Sequence, residues 1–237
     1  MANVKVKVEK LNMECSEAYR ALRTNLQFCG GDKKAIVFTS CTPDEGKSTV
    51  ALYLAMSLAE AGKKVLLIDA DLRKSVMTGH FRLEEGTKGL THFLSGQTYL
   101  KDVICQAEKP KLDVIFAGPA APNPAELLGQ TLFKEMLKYA RSQYDYILID
   151  SAPLGSVIDS AIIAEECDGA VIVIESEVIS YRFVQEVKAQ LEKSNCPILG
   201  AVLNKVDMRS QKYYGRYYYY GKKYGKYYGK KYGYGKY

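Results

Sequence analysis

The chain has 237 residues, 47% of them hydrophobic, which is enough for one large domain or two small ones. Six cysteines are scattered without a CxxC pair, and only two histidines are available to join them at a metal. The composition therefore predicts neither a disulfide framework nor a zinc site. The first residues alternate valine with charge, and no stretch approaches the ~20 apolar residues that span a bilayer. We therefore expect a reduced, cytosolic protein whose contact with a membrane is peripheral or through a partner.

Charge is distributed unevenly between the body of the chain and its C-terminal end. Residues 209–237, which we call the tail, contain twelve of the 19 tyrosines, nine Lys or Arg, six glycines and no Asp or Glu. The formal net charge is +6, so the nine tail cations leave residues 1–208 with −3. A core cannot be built from tyrosine, glycine and lysine alone, so we expect a disordered tail. Residues 1–208 are then the predicted folded domain.

Along the body, short apolar runs alternate with helical patterns. The predicted strands cover residues 35–40, 65–70, 112–118, 146–151, 170–176 and 198–204, and the predicted helices lie near 48–61, 124–140, 157–166 and 181–194. Nearly continuous apolar strands are expected where both faces of a parallel sheet are covered. The alternation predicts an α/β fold with a doubly wound, mostly parallel sheet flanked by helices. The segment PNPAELL is typical of a helix start. Asn123 can cap the helix, Pro124 takes its first position and Glu126 its third.

The strongest chemical signal follows the strand at 35–40, where SCTPDEGKST leads into a helix. A Gly-Lys-Ser/Thr turn between a strand and a helix points backbone N–H groups and the helix N-terminus at one place, which suits a phosphate. Lys47 would reach the β- and γ-phosphates, and Ser48 would hold Mg²⁺. The full pattern asks for glycine where Cys41 stands, so the match is partial. The predicted nucleotide-binding residues are Thr42, Pro43, Asp44, Glu45, Gly46, Lys47, Ser48 and Thr49.

Carboxylates follow two further predicted strands. Asp69 and Asp71 come at the end of one apolar strand, and Asp150 comes at the end of another. Ligands of open α/β sheets bind at the C-terminal ends of the strands, so these side chains are expected beside the GKS turn. A hydroxyl with one or two carboxylates is a sufficient protein contribution for Mg²⁺. The pattern indicates a site for phosphoryl transfer from a Mg-nucleotide.

The GKST turn, the DADLR segment and the IDSAP strand end resemble the three nucleotide motifs of the bacterial tyrosine kinases, the P-loop kinases of capsule and exopolysaccharide assembly. The resemblance covers essentially the whole chain. SEAYRALRTNLQF is similar to the family's N-terminal oligomerisation helix, here about 14–28, with Glu17, Arg20 and Arg23 in its E-x-x-R-x-x-R pattern. The tail resembles the family's C-terminal tyrosine cluster, which is the kinase's own substrate. The candidate phosphoacceptors are Tyr213, Tyr214, Tyr217, Tyr218, Tyr219, Tyr220, Tyr224, Tyr227, Tyr228, Tyr232, Tyr234 and Tyr237.

The resemblance implies a protein tyrosine kinase that uses ATP and Mg²⁺ to phosphorylate its own tail between subunits, regulating polysaccharide polymerisation and export. It implies a transmembrane activator of the polysaccharide co-polymerase type, a ring-shaped homo-oligomer, a cognate phosphotyrosine phosphatase, and a cytoplasmic place at the inner face of the membrane through the activator. Asn204 would lie near adenine. The catalytic residues would be Lys47, Asp69, Asp71 and Asp150, and the metal ligands Ser48, Asp71 and Asp150. Which of Asp69 and Asp71 positions the tyrosine hydroxyl is left open.

Some residues depart from this family or suggest another. Ser-Ala-Pro at 151–153 replaces the Thr-Pro-Pro of related P-loop ATPases, and Thr42 stands where partitioning and division ATPases carry a signature lysine. Residues 204–207 read NKVD, which resembles the guanine-reading motif of GTPases, although we favour ATP. The alternative is a partitioning- or division-type ATPase whose basic tail binds an anionic membrane or, less expected, nucleic acid. Arg73 either stabilises transferring charge or bridges to a neighbouring residue.

Overall fold

The computed structural model describes residues 2–7, 11–84, 86–108 and 111–207. The predicted disordered tail, 209–237, lies outside these described residues, and so do all twelve candidate phosphoacceptor tyrosines. Among the helices that the structure describes, none combines the length and the apolar character needed to cross a membrane.

The described residues contain a nine-stranded sheet. Its strands are β1 (Ala2–Val6), β2 (Ala35–Ser40), β3 (Val65–Asp69), β4 (Phe81–Arg82), β5 (Ile104–Glu108), β6 (Lys111–Ile115), β7 (Tyr146–Asp150), β8 (Gly169–Glu175) and β9 (Ile198–Asn204). The order across the sheet is β4-β1-β5-β6-β3-β7-β2-β8-β9. Along the part of the sheet ordered β6-β3-β7-β2-β8-β9, each strand is parallel to its neighbour, and β1 is parallel to β5. The pairs β5 with β6 and β1 with β4 are antiparallel. The predicted mostly parallel α/β sheet is confirmed.

Helices cover both faces of this sheet. In the described ranges they are α1 (Met13–Phe28), α2 (Lys47–Glu60), α3 (Leu90–Leu94), α4 (Leu100–Val103), α5 (Pro124–Leu128), α6 (Thr131–Gln143), α7 (Asp159–Ala164) and α8 (Tyr181–Glu192), with a 3₁₀ turn at Met77–His80. One apolar cluster joins α1 and α2 to the sheet, and a second joins α5 to α8 to its other face. Every residue of β2, β3 and β7 is buried, which explains their nearly continuous apolar sequences.

The helix predicted over 124–140 is two helices, because α5 ends at Leu128 and α6 begins after Gln130, which is extended. The break falls at Gly129, a residue type of low helix propensity. The prediction that the Asn123 side chain caps α5 is wrong. Its Nδ2 donates instead to Glu126 Oε2 at 2.7 Å, a bond to a charged group that competes with the cap.

Candidate active site

The segment between β2 and α2 is a tight turn that ends at the helix N-terminus. Asp44 and Gly46 have positive φ values of 66° and 84°. The positive φ of Gly46 favours glycine, and a Cβ there would lie 2.2 Å from Asn204 Nδ2, so any other residue would also displace the Asn204 side chain. The backbone N–H groups at the start of α2 thus lie at the C-terminal end of β2, which suits an anion. The turn holds Thr42, Pro43, Asp44, Glu45 and Gly46, and the first turn of α2 holds Lys47, Ser48 and Thr49.

The ammonium group of Lys47, the first residue of α2, lies among carboxylates. Its Nζ is 3.0 Å from Asp150 Oδ1, 3.9 Å from Asp71 Oδ2 and 3.3 Å from Ser48 Oγ. Lys47 and Asp71 are each 8% exposed, and Asp150 is 1% exposed. Charges buried to this degree require partners, and here they are partners of one another. The structure therefore brings together the predicted residues at the ends of β3 and β7 and at the start of α2.

Asp69 is fully buried, and its carboxylate organises the segment after β3. The Ser75 hydroxyl donates a close hydrogen bond to Asp69 Oδ2, and the N–H groups of Asp71 and Ala117 lie 3.3 Å and 3.4 Å from Oδ1 and Oδ2. Burial, reinforced by the charge of Asp150, raises the pKa of Asp69 above its ordinary value. Burial also raises the pKa of Asp150, although Lys47 opposes that rise. The two carboxylates of the DAD segment are therefore not equivalent, since the Asp71 side chain is the one near Lys47.

Arg73 connects the segment after β3 to α7. Its guanidinium forms two hydrogen bonds with Asp159, with Nε 2.7 Å from Oδ2 and Nη2 2.9 Å from Oδ1. The Asp159 carboxylate is fully buried, and a bidentate arginine is a strong partner for it. The backbone N–H groups of Arg73 and Lys74 also donate to Asp71 Oδ1, at 3.2 Å and 3.0 Å. This geometry favours the bridging interpretation of Arg73.

Glu45 and Asn204, two of the predicted nucleotide-binding residues, form hydrogen bonds within the protein. Glu45 is 1% exposed, and its carboxylate accepts hydrogen bonds from the Thr42 N–H, from the Thr42 hydroxyl at 3.1 Å and from the Glu175 N–H at 3.0 Å. Asn204 Nδ2 donates to the Glu45 carbonyl at 2.9 Å. The carboxylate and the carbonyl of Glu45 are thus both occupied by hydrogen bonds within the protein. Glu175 is not among the predicted site residues, because it contributes a backbone N–H, which nearly every residue type has.

Buried hydroxyls join the strand ends that carry the site. Ser160 Oγ lies 2.9 Å from both Thr39 Oγ1 and Ser151 Oγ, and Ser151 Oγ donates to the Phe38 carbonyl at 2.7 Å. These side chains connect β2, the end of β7 and α7. Ser151, which departs from the Thr-Pro-Pro of related ATPases, therefore has a structural place beside Asp150.

The three residues of the E-x-x-R-x-x-R pattern lie on α1, the helix predicted near 14–28. Arg20 Nη1 is 2.5 Å from Glu17 Oε1, and both side chains are 62% exposed. Arg23 Nη1 donates to the Ser57 carbonyl at 2.7 Å, which attaches α1 to α2. Arg23 therefore supports the fold of its own chain, whereas Glu17 and Arg20 are available at the surface.

The fold and this site define a P-loop nucleotide-binding protein. A family model described as an AAA domain matches residues 33–196. The chain is 46% identical over 207 residues to the tyrosine-protein kinase CpsD of Streptococcus agalactiae, covering 87% of this chain and 90% of that protein. It is 42% identical over 227 residues to CpsD of Streptococcus pneumoniae, covering 94% and 100%. The chain belongs to the bacterial tyrosine-protein kinases, which confirms the predicted resemblance and enzyme class.

A solved structure supports the same assignment. The kinase domain of the Escherichia coli tyrosine kinase ETK superposes with a TM-score of 0.79 at 28% identity, covering 89% of this chain and 92% of that chain. The similarity therefore extends from sequence to three-dimensional structure over most of the chain.

Proposed function

We propose that this chain transfers the γ-phosphoryl group of Mg-ATP to tyrosines of its own tail. The observation that carries the proposal is the position of the Lys47 ammonium at the N-terminus of α2, 3.0 Å from Asp150 and 3.9 Å from Asp71. The kinase family supplies the acceptor type, and the chain itself carries twelve tyrosines in a 29-residue tail. The site and the candidate substrate thus belong to one polypeptide.

The donor set of the site fits Mg²⁺. Ser48, Asp71 and Asp150 present hydroxyl and carboxylate oxygens around Lys47, and Mg²⁺ prefers such ligands while leaving other positions to water and to phosphate oxygens. Bound with ATP, the ion would neutralise charge on the phosphates. Lys47, already poised between carboxylates, would turn its ammonium toward the transferring group, and the turn N–H groups would hold the neighbouring oxygens.

The acceptor hydroxyl needs a carboxylate to orient it. A tyrosine has a pKa of about 10, so at neutral pH it attacks as a neutral hydroxyl and loses its proton late in the transfer. Because Asp71 faces Lys47, we assign Asp71 to the metal and Asp69 to the hydroxyl. A hydroxyl group, that of Ser75, already donates to Asp69 Oδ2, so this assignment requires Ser75 to move aside and open the buried carboxylate to the incoming tyrosine.

Membership of this family supports a regulatory role in the polymerisation and export of a capsular or extracellular polysaccharide. We infer a transmembrane activator of the polysaccharide co-polymerase type, which would hold the kinase at the inner face of the membrane. A cognate phosphotyrosine phosphatase would return the tail to its unmodified state. We also place the domain boundary at residue 208, where the acidic body meets the basic tail.

Phosphotyrosine analysis tests the kinase proposal. The chain, purified from its native host so that its activator is present, is incubated with Mg-ATP and mapped by mass spectrometry. We expect phosphate on several of the twelve tail tyrosines and none in a variant with all twelve changed to Phe. A Lys47→Met chain with its tail, mixed with an active chain that lacks the tail, should still be labelled if transfer occurs between subunits. ATP hydrolysis without any phosphotyrosine would contradict the proposal and favour a partitioning-type ATPase.

We infer that α1 contributes to a homo-oligomer, a ring by resemblance to the family. Arg20 is the clean probe of this surface, because its guanidinium is exposed and paired with Glu17. Arg23 is unsuitable, since its bond to Ser57 means that a change there would also loosen α1 from α2. We expect Arg20→Glu, which places two acidic side chains together, to convert the oligomer to monomer, as measured by light scattering.

The matched control for this change is Arg182→Glu. Arg182 is an exposed arginine on α8 that pairs with Glu186 at 3.1 Å, so the substitution makes the same charge change in a similar intrahelical pair. It should leave the mass of the oligomer unchanged. An Arg20→Glu chain that keeps the mass of the wild type would show that Glu17 and Arg20 form an ordinary solvated helix face.

A further inference from the structure

A buried carboxylate lies inside the phosphate-binding turn, one residue before Gly46. The donors to Glu45 are neutral, namely two backbone N–H groups and the hydroxyl of Thr42. These bonds satisfy the charge in a position that is only 1% exposed. A negative side chain is electrostatically unfavourable in a turn that receives a polyanion. Attraction of the ligand therefore does not explain why glutamate occupies this position.

The contacts of Glu45 tie the turn to two strands beyond it. Glu45 Oε2 accepts the N–H of Glu175, the last residue of β8, and the Glu45 carbonyl accepts Nδ2 of Asn204, the last residue of β9. The same amide lies against Gly46, where a Cβ would approach it to 2.2 Å. On its other side the carboxylate holds the N–H and hydroxyl of Thr42. The turn is therefore fixed near its end, at Glu45, to the ends of β8 and β9, and its start at Thr42 is held by the same carboxylate.

We propose that Glu45 is a positioning residue, which together with Asn204 fixes the backbone of residues 42–46 in the conformation that binds phosphate. This inference rests on the proposed function of the site. Glu45 acts through the backbone that follows it, because its carbonyl, held by Asn204 Nδ2, shares a peptide plane with the N–H of Gly46. Phosphate-binding N–H groups are effective in transfer when they are held in place before the reaction begins.

Glu45→Gln separates hydrogen bonding from side-chain size. Glutamine is nearly the same size as glutamate, but one of its two terminal groups is an NH₂ that cannot accept a hydrogen bond. Whichever way the amide is turned, either the N–H of Thr42 or that of Glu175 loses its acceptor and meets a donor. A buried N–H group without an acceptor destabilises the fixed conformation, so the turn should relax from it. We expect affinity for Mg-tripolyphosphate to fall at least about tenfold, and kcat for tail labelling to fall further.

The experiment compares the full-length wild type with Glu45→Gln and with Glu177→Gln. Glu177 is exposed and lies two residues beyond Glu175, so its substitution removes the same charge nearby while leaving the contacts of the turn in place. Calorimetry gives the affinities for Mg-tripolyphosphate and Mg-ADP, labelling gives kcat and KM for ATP, and circular dichroism gives the unfolding midpoint. Tripolyphosphate has no base, so it reports on the turn without any contact between Asn204 and adenine. Glu177→Gln should match the wild type in every measurement.

Several outcomes would overturn the proposal. If Glu45→Gln lowers the unfolding midpoint but keeps wild-type affinities and kcat, the carboxylate supports only the fold. A loss confined to Mg-ADP would place the effect at the base and also contradict it. Should Glu45→Gln fail to fold, Asn204→Ala is the deciding variant. It removes the hydrogen bond to the Glu45 carbonyl and should lower the affinity for Mg-tripolyphosphate about tenfold, whereas an unchanged affinity would refute the proposed positioning. A wild type that binds neither ligand would instead refute the proposed nucleotide site itself.

Discussion

Replacing Lys47 by methionine is expected to abolish tail phosphorylation, with the rate falling at least about 100-fold. The Lys47 ammonium lies at the helix N-terminus beside Asp71 and Asp150, and in the proposed mechanism it would stabilise the charge on the transferring phosphoryl group. An interaction made mainly in the transition state lowers kcat rather than raising KM when it is removed. The measurement is the initial rate of phosphotyrosine formation over a range of Mg-ATP concentrations.

The same substitution should also affect stability, because it leaves Asp150 without the cation 3.0 Å away. Removing one partner of a buried ion pair typically costs about 3–5 kcal/mol. Burial already raises the pKa of Asp150, so in the variant this carboxylate should take up a proton more readily still. A carboxyl group whose pKa is raised in the folded state lowers the stability of the fold as pH rises. The loss of stability relative to the wild type should therefore be smaller at about pH 5 than at about pH 8. Circular dichroism at both pH values checks this, and shows that the variant is folded before its rate is interpreted.

Asp71→Asn is the companion test, because it keeps the shape of the side chain and removes its charge. It should reduce the rate in the same way, since Asp71 is assigned to the metal. Lys63→Met is the matched control for the lysine, because Lys63 is exposed and precedes β3, at the opposite end of that strand from Asp69. It should label its tail at the wild-type rate. Wild-type rates in both Lys47→Met and Asp71→Asn would contradict the assignment of the site.

The sequence predicted the central strands well because of where they lie. β2, β3 and β7 are buried along their whole length, so their sequences are apolar without interruption. β1 and β5 were missed. In β1, Val4 is buried while Asn3 and Lys5 are exposed, which is the alternation of a half-buried strand. β5 reads ICQAE, and its place is set by pairing with β1 and β6, which its own five residues do not encode.

The site could be predicted in outline because strand ends collect at one edge of a parallel sheet. That rule brings Asp71 and Asp150 to Lys47 without any knowledge of side-chain contacts. It cannot distinguish Asp69 from Asp71, which are equivalent in the DAD sequence and differ only in the groups that surround them. It also cannot find partners that are distant in the chain, such as Asp159, which bonds to Arg73 across 86 positions. These contacts depend on loops whose paths are set by packing rather than by local pattern.

Phosphorylation of the tail is expected to dissociate the oligomer. The unmodified tail carries nine cations, whereas residues 1–208 carry a net charge of −3, so the tail should be attracted to the bodies of neighbouring subunits. Each phosphotyrosine adds about −1.5 to −2 charges at pH 7, so roughly five or six of them cancel the cations and more reverse the sign. A disordered tail of this length would have a typical span of roughly 25–30 Å, which allows it to reach an adjacent subunit.

The measurement that checks this switch is mass by light scattering, followed together with phosphate content during incubation in Mg-ATP. Wild-type chains should lose mass as phosphate accumulates, and the loss should begin near the point at which the charge of the tail cancels. The variant with all twelve tail tyrosines changed to Phe keeps the nine cations and should stay assembled under the same conditions. Because the attraction is between exposed charges, salt should weaken assembly of the unmodified chain, since the screening length is about 10 Å at 0.1 M and shorter above it. A wild type that remains fully assembled when extensively phosphorylated would show that charge on the tail does not control assembly, even if the tail is the substrate of the kinase.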